Sequence, residues 1–163
     1  MGSSEFRIRP ATLEDIPVIF DLIKALAEYE QLAHQVTGNE DSLRAHLFGE
    51  SPCVEAILAE TESVVVGFAL FFGNYSTFLT KPGIYLEDLF VLSDYRGQGI
   101  GTAMLQYLGN LAKARNSGRL EWSVLDWKKC HRFLSKNEGR DITRLENLSR
   151  DRNSSSESSP KLA

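Results

Sequence analysis

Cysteine, histidine and long apolar runs are scarce in this 163-residue sequence, and each shortage removes a class of chemistry. Cys53 and Cys130 stand far apart, without the spacings that mark a zinc site or a disulfide framework, so both read as reduced, structural residues. His34, His46 and His131 form no ligand spacing, and no metal is expected. No apolar stretch approaches the roughly 20 residues of a membrane span. The opening MGSSEFRIRP has no signal-peptide apolar core, and Phe6 stands where a myristoylation signal would want Ser or Thr, so a cytoplasmic protein with no membrane partner is expected. There is no Gly-Lys-Ser/Thr, which rules out a P-loop, and the glycine spacing is not that of a dinucleotide-binding fingerprint.

What is there is an average globular composition, 42% hydrophobic and 25% charged, enough for one domain with a core. The charge is unevenly placed: residues 1–127 carry 9 Lys/Arg against 17 Asp/Glu, whereas residues 128–163 carry 9 against 5 and include NSSSESSP. This break predicts a folded core over 1–127 and a divergent, polar, partly disordered tail over 128–163. An acidic core, and a basic tail without interleaved aromatics, argue against a nucleic-acid partner.

Periodicity places the elements. FRIR (6–9) alternates as a strand and Pro10 ends it. Thr12 and Asp15 resemble a capping box ahead of Ile16, Ile19, Phe20, Ile23 and Leu26, which predict a helix to about Gln31. Gly38 or Asn39 caps a shorter helix ending at Gly49. VEAILAE (54–60) and VVVGFALFF (64–72) read as strands, and after a loop containing Pro82 and Gly83, IYLEDLFVL (84–92) reads as a buried strand interrupted by Glu87 and Asp88. Met104, Leu105, Leu108, Leu111 and Ala112 mark a helix ending near Gly118, and LEWSVLDW (120–127) is one more strand. The order predicts a mixed α/β domain.

Between the interrupted strand and that helix lies DYRGQGIGTAML (94–105), with glycine at every second position. A glycine-rich loop running into a helix start is an anion-binding device, because the first N–H groups of a helix point outward and carry partial positive charge. Phosphate is the expected guest, with Arg96 adding a charge-assisted contact; a tight turn without a ligand is the alternative for the glycines alone.

Arg96, Gly97, Gln98, Gly99, Ile100, Gly101 and Thr102 resemble the coenzyme A pyrophosphate loop, R/Q-x-x-G-x-G/A, of the GNAT acetyltransferases, where it also follows the fourth strand. RPAT (9–12), LIKALAEYE (22–30), VGFALFF (66–72) and YLEDLFVLSDYRGQGIG (85–101) are similar to the spermidine/spermine, or diamine, acetyltransferases. The resemblance implies an α+β fold with a mixed sheet and flanking helices, acetyl-CoA as cosubstrate, a small polyamine, diamine or lysine-like acceptor, and a homodimer. Acetyl transfer to an amine needs a neutral nitrogen, a polarised thioester carbonyl and a proton for the departing thiolate. Glu87 is the candidate base, since strict alternation would put Glu87 and Leu89 on one face and Asp88 on the other. By resemblance, the backbone of Leu89, Phe90 and Val91 lines the acetyl and pantetheine arm, and Tyr29, Glu30, Glu87, Glu121, Trp122 and Ser123 meet the amine, with Asp88 a further acidic partner for it. Glu28 and Asp126 add to an acidic region that favours cations.

The resemblance stops after the fifth strand. In place of the family's Asn and A-I-x-F-Y helix the chain reads WKKCHRFLSKNEGRD, and Ser135 occupies the position of the tyrosine that serves the family as general acid. A one-base shift in reading from Cys130 onward permits A-I-A-F-Y-R-K-M, so the tail is expected to be out of frame and the last helix and strands incomplete.

Overall fold

A computed structural model of the chain describes residues 5–62 and 64–123. The expected polar tail, Ser135, Asp126 and the end of the last predicted strand lie outside the described residues. The elements are β1 (Phe6–Pro10), α1 (Ile16–Tyr29), α2 (Glu40–Phe48), β2 (Glu55–Thr61), β3 (Val64–Ser76), β4 (Lys81–Val91), α3 (Ile100–Ala114) and β5 (Leu120–Trp122). They build one sheet in the order β1-β2-β3-β4-β5, antiparallel as far as β4 and parallel between β4 and β5. This is the mixed α+β arrangement expected.

Strand alternation divides the core into two layers. Ile57, Ala59, Ile84, Leu86 and Leu120 pack on one face against Ile100, Met104, Leu105 and Leu108 of α3. Ala56, Leu58, Phe68 and Phe90 pack on the other against Ile16, Ile19 and Leu22 of α1 and Leu47 of α2. Phe68 is fully buried, and truncating such a side chain costs about 3–5 kcal/mol. The entry to α1 is fixed by charge: Arg9 Nη1 and Nη2 donate to Asp15 at 2.7 and 2.9 Å, and Arg9 Nε donates to Glu60 at 2.5 Å. The Thr12 N–H also donates to Asp15, at 2.7 Å, supplying the carboxylate half of the expected capping box. The Arg9 bonds above all hold the Asp15 carboxyl down at about 2.

Two boundaries differ from the sequence expectation. The segment around Pro82 and Gly83 is strand rather than loop, with Tyr75 opposite Pro82 and Asn74 opposite Gly83 in a long β3–β4 hairpin. Pro82 is tolerated because the next ladder donor on that edge is the Ile84 N–H, bonded to the Arg119 carbonyl at 3.0 Å. Helix α3 closes at Asn116, φ +54, where the Ser117 N–H reaches the Ala112 carbonyl at 2.8 Å, two residues before the glycine expected to mark its end.

Candidate functional site

The start of α3 is bare. Its cap position is Gly99, at φ +85, which makes no side-chain cap bond, and the first turn has no acidic residue. The first intrahelical bond runs from the Ala103 N–H to the Gly99 carbonyl at 2.9 Å, so the N–H groups of Ile100, Gly101 and Thr102 have no acceptor within the helix. Gly97 is also left-handed, at φ +76. Nothing lies within 4 Å of where a Cβ on Gly99 would sit. The loop therefore presents backbone donors to open space, and these residues fit a diphosphate.

One strand earlier, β4 bulges. Leu70 pairs with Asp88 and Phe71 with Leu86, leaving Glu87 as the extra residue. Strict alternation does not continue through it: Leu86 and Leu89, three residues apart, both pack against the α3 layer, while Phe90 belongs to the α1 layer. The face predicted for Glu87 by simple alternation thus has no basis. Glu87 is exposed and Asp88 half-buried. Burial, followed by the charges of Glu87 and Glu30, pushes the Asp88 carboxyl up to about 6, and burial also raises that of Glu30. Three carboxyl groups from α1 and β4 thus act on one another, and among the described residues no ion pair joins any of them to a cation. Strand β5 pairs with β4 only at Ile84, Tyr85 and Leu86, so among the described residues the edge of β4 from Glu87 to Val91 has no strand partner on the β5 side. Leu89, Phe90 and Val91 present that open edge.

Arg96 joins these two parts. Its Nε donates to the Val91 carbonyl at 2.7 Å, and its guanidinium carbon lies 4.3 Å from the centre of the Tyr29 ring and 5.3 Å from that of Phe90. The two rings are themselves 6.2 Å apart. Stacking of this kind contributes about 0.5–2 kcal/mol, depending on solvent exposure. The structure engages Arg96 in folding contacts, where the sequence pointed only to an anion.

The three β5 residues expected to meet an amine have different surroundings. Glu121 Oε2 accepts from Asn74 Nδ2 at 2.6 Å and lies 2.9 Å from Arg119 Nε, so its charge is already matched. Ser123 Oγ and the Tyr85 hydroxyl are 2.7 Å apart. Trp122 packs in the α3 layer, on the opposite face of the sheet from Phe90 and the Tyr29 beside it, and its buried Nε1 has no hydrogen-bond partner among the described residues.

A family model described as Acetyltransferase (GNAT) family matches residues 20–137. The chain belongs to the GNAT acetyltransferase family. It is 40% identical to a mouse protein named thialysine N-epsilon-acetyltransferase, over 86% of this chain and 87% of that one. It is 31% identical to L-ornithine N5-acetyltransferase NATA1 of Arabidopsis thaliana, over 74% of this chain and 73% of the relative. Among solved structures, a ribosomal-protein-alanine N-acetyltransferase from Brucella melitensis superposes with a TM-score of 0.66 at 20% identity, covering 83% of this chain and 93% of that one, a likeness of fold.

As a GNAT protein the chain is an acetyl-CoA-dependent N-acetyltransferase. Among the described residues no group of three His, Cys, Asp or Glu is placed to hold a metal, and no helix is long and apolar enough to cross a membrane. Sequence reasoning missed the coupling of Glu30 to Asp88 and the aromatic seat of Arg96, since both join α1 to β4 across the fold. The available signal was two adjacent acids inside an apolar strand, which marked the place without ranking the two.

Proposed function

We propose that this N-acetyltransferase modifies the primary amine of a small polyamine, diamine or thialysine-like molecule, and that it works in the cytoplasm as a homodimer. The observation that carries the acceptor class is the group formed by Glu30, Glu87 and Asp88 beside the open edge of β4: carboxyl groups held near one another and partly out of water favour a cation. The names of the mouse and Arabidopsis relatives, both acetylating the side-chain amine of a small amino acid, support it, and the resemblance supports the dimer.

Bound acetyl-CoA supplies an activated acetyl group. The N–H groups of Ile100, Gly101 and Thr102 hold its diphosphate, with Gly97 and Gln98 shaping the approach. Free backbone N–H groups on the β4 edge between Leu89 and Val91 stabilise negative charge at the reacting carbonyl. Asp88 and Glu30 hold the ammonium end of the acceptor beside Tyr29. Glu87, exposed at the bulge, accepts the proton directly or through water, so that the neutral amine attacks the thioester carbonyl; the C–N bond formed replaces the C–S bond, and coenzyme A leaves as a thiolate that takes its proton from water. Of the β5 residues, Ser123 remains a candidate contact through Tyr85, and Trp122 has an indole N–H to offer; Glu121 serves chiefly to pair with Arg119.

Mass spectrometry of putrescine, spermidine and thialysine incubated with acetyl-CoA tests this directly. Acetylated product is expected, and Glu87→Gln is expected to lower turnover by about 10²- to 10⁴-fold. Ser135 in the tyrosine position favours a second reading, a protein that binds acetyl-CoA or pairs with an active subunit but does not turn over; binding without product selects it.

A further inference from the structure

We propose that Arg96 is a positioning residue, holding Tyr29 and the end of α1 against β4 so that the amine side of the site is set by the same segment that begins the coenzyme loop. The inference rests on the acetyltransferase reading above and departs from the pyrophosphate contact expected of this arginine.

The geometry commits the Arg96 side chain to three partners. The Nε–H is spent on the Val91 carbonyl at 2.7 Å, which fixes the plane of the guanidinium at the end of β4. One aromatic neighbour, Phe90, comes from the same strand end, and the other, Tyr29, from the last turn of α1. Tyr29 remains 40% exposed, and its ring contacts among the described residues are those with Arg96 and Phe90. The residue after Tyr29 is Glu30, whose charge reaches Asp88. Immediately beyond it, Gln31 takes a left-handed conformation, φ +60, to close the helix, with the Leu32 N–H on the Ala27 carbonyl at 2.8 Å. A non-glycine residue in this conformation is strained, so the end of α1 depends on its side-chain anchors to keep Glu30 in place. Arg96 is followed directly by Gly97, the first left-handed glycine of the loop. A single side chain therefore spans α1, β4 and the coenzyme loop.

The test is a pair of calorimetric titrations, acetyl-CoA alone and spermidine in the presence of coenzyme A, on the wild type and on Arg96→Ala, Arg96→Lys, Tyr29→Ala, Tyr29→Phe and the Arg96→Ala/Tyr29→Ala double variant. Arg96→Ala and Tyr29→Ala should each weaken spermidine by about tenfold, the size of one partly desolvated stack, and the double variant by no more than either alone. Tyr29→Phe keeps the ring that faces the guanidinium and should lose less spermidine affinity than Tyr29→Ala. Arg96→Lys keeps the charge but loses the planar face and should behave as Arg96→Ala. Acetyl-CoA affinity should stay within about threefold throughout. The same cycle run on urea midpoints should show the two positions coupled even without ligand. A large loss of acetyl-CoA affinity in Arg96→Ala with spermidine unchanged, wild-type affinity in Arg96→Lys, or additive effects in either cycle, would overturn the proposal while leaving the acetyltransferase reading intact. Failure of the wild type to bind acetyl-CoA would instead sink that reading. Should Arg96→Ala not fold, the contrast between Tyr29→Phe and Tyr29→Ala decides, equal spermidine binding by the two counting against the proposal.

Discussion

Helices α2 and α3 both begin on irregular loops, and they begin in opposite ways. At α2, Asn39 Oδ1 accepts the Ser42 N–H at 2.8 Å and Glu40 and Asp41 make the first turn acidic. That helix supplies its own anion. At α3 the cap position is Gly99, without a side-chain bond and without an acid behind it. A side-chain cap is worth about 1 kcal/mol, so the open start of α3 forgoes stability that a bound anion would restore, the role proposed above for the diphosphate of acetyl-CoA.

The largest effect should come from closing the open start. Gly99→Glu adds a carboxylate side chain beside the bare N–H groups, its Cβ entering a position with nothing beyond the chain neighbours within 4 Å. Acetyl-CoA affinity should fall by more than about 100-fold, equivalent to about 2.7 kcal/mol, in calorimetry on a variant that still unfolds cooperatively. Unchanged affinity would break the contrast between the two helices.

The acids of β4 and the end of α1 stand in another setting, beside one another. Asp88, pushed up to about 6 by burial and by Glu87 and Glu30, holds a proton more tightly folded than unfolded. Stability should therefore fall as pH rises from about 4 to about 6, the window between the unfolded and folded values, and stay reduced above it. Asp88→Asn should remove this slope and raise stability at neutral pH by roughly 1–2 kcal/mol while weakening spermidine binding; urea midpoints on either side of the window would check it.

At α2, Asn39→Ala should cost about 1 kcal/mol of stability and leave acetyl-CoA binding unchanged, the reverse of the Gly99 pattern. The smallest change is at the far end of α1, where Gln31→Gly relieves the left-handed strain and should raise stability by roughly 0.5–1 kcal/mol, measured as a shift in the urea midpoint.

Local patterns in the sequence account for most of the fold. The helical spacing of Ile16, Ile19, Leu22 and of Met104, Leu105, Leu108 reports burial on one side of each helix, and the cap at Asn39 follows from side-chain chemistry alone. The left-handed turns at Gly97 and Gly99 were equally legible, because only glycine adopts that backbone conformation readily. What escaped was set at a distance. The bulge at Glu87 depends on how β3 registers against β4, and no alternation rule within one strand reveals it. The pairing of Glu121 with Arg119 and Asn74 belongs to the long hairpin around Pro82, which read as a loop for want of a partner strand. The raised Asp88 and the seat of Arg96 require α1 to lie over the end of β4.

Amide NMR during titration with acetyl-CoA and, separately, with acetylpantetheine, which lacks the diphosphate, probes the helix start most directly. Acetyl-CoA should displace the signals of Gly97 to Thr102 strongly while acetylpantetheine leaves them near their free positions, with Ser42 of the capped helix unmoved by either. Equal displacement by both compounds, or a silent loop alongside shifts at α2, would contradict the account.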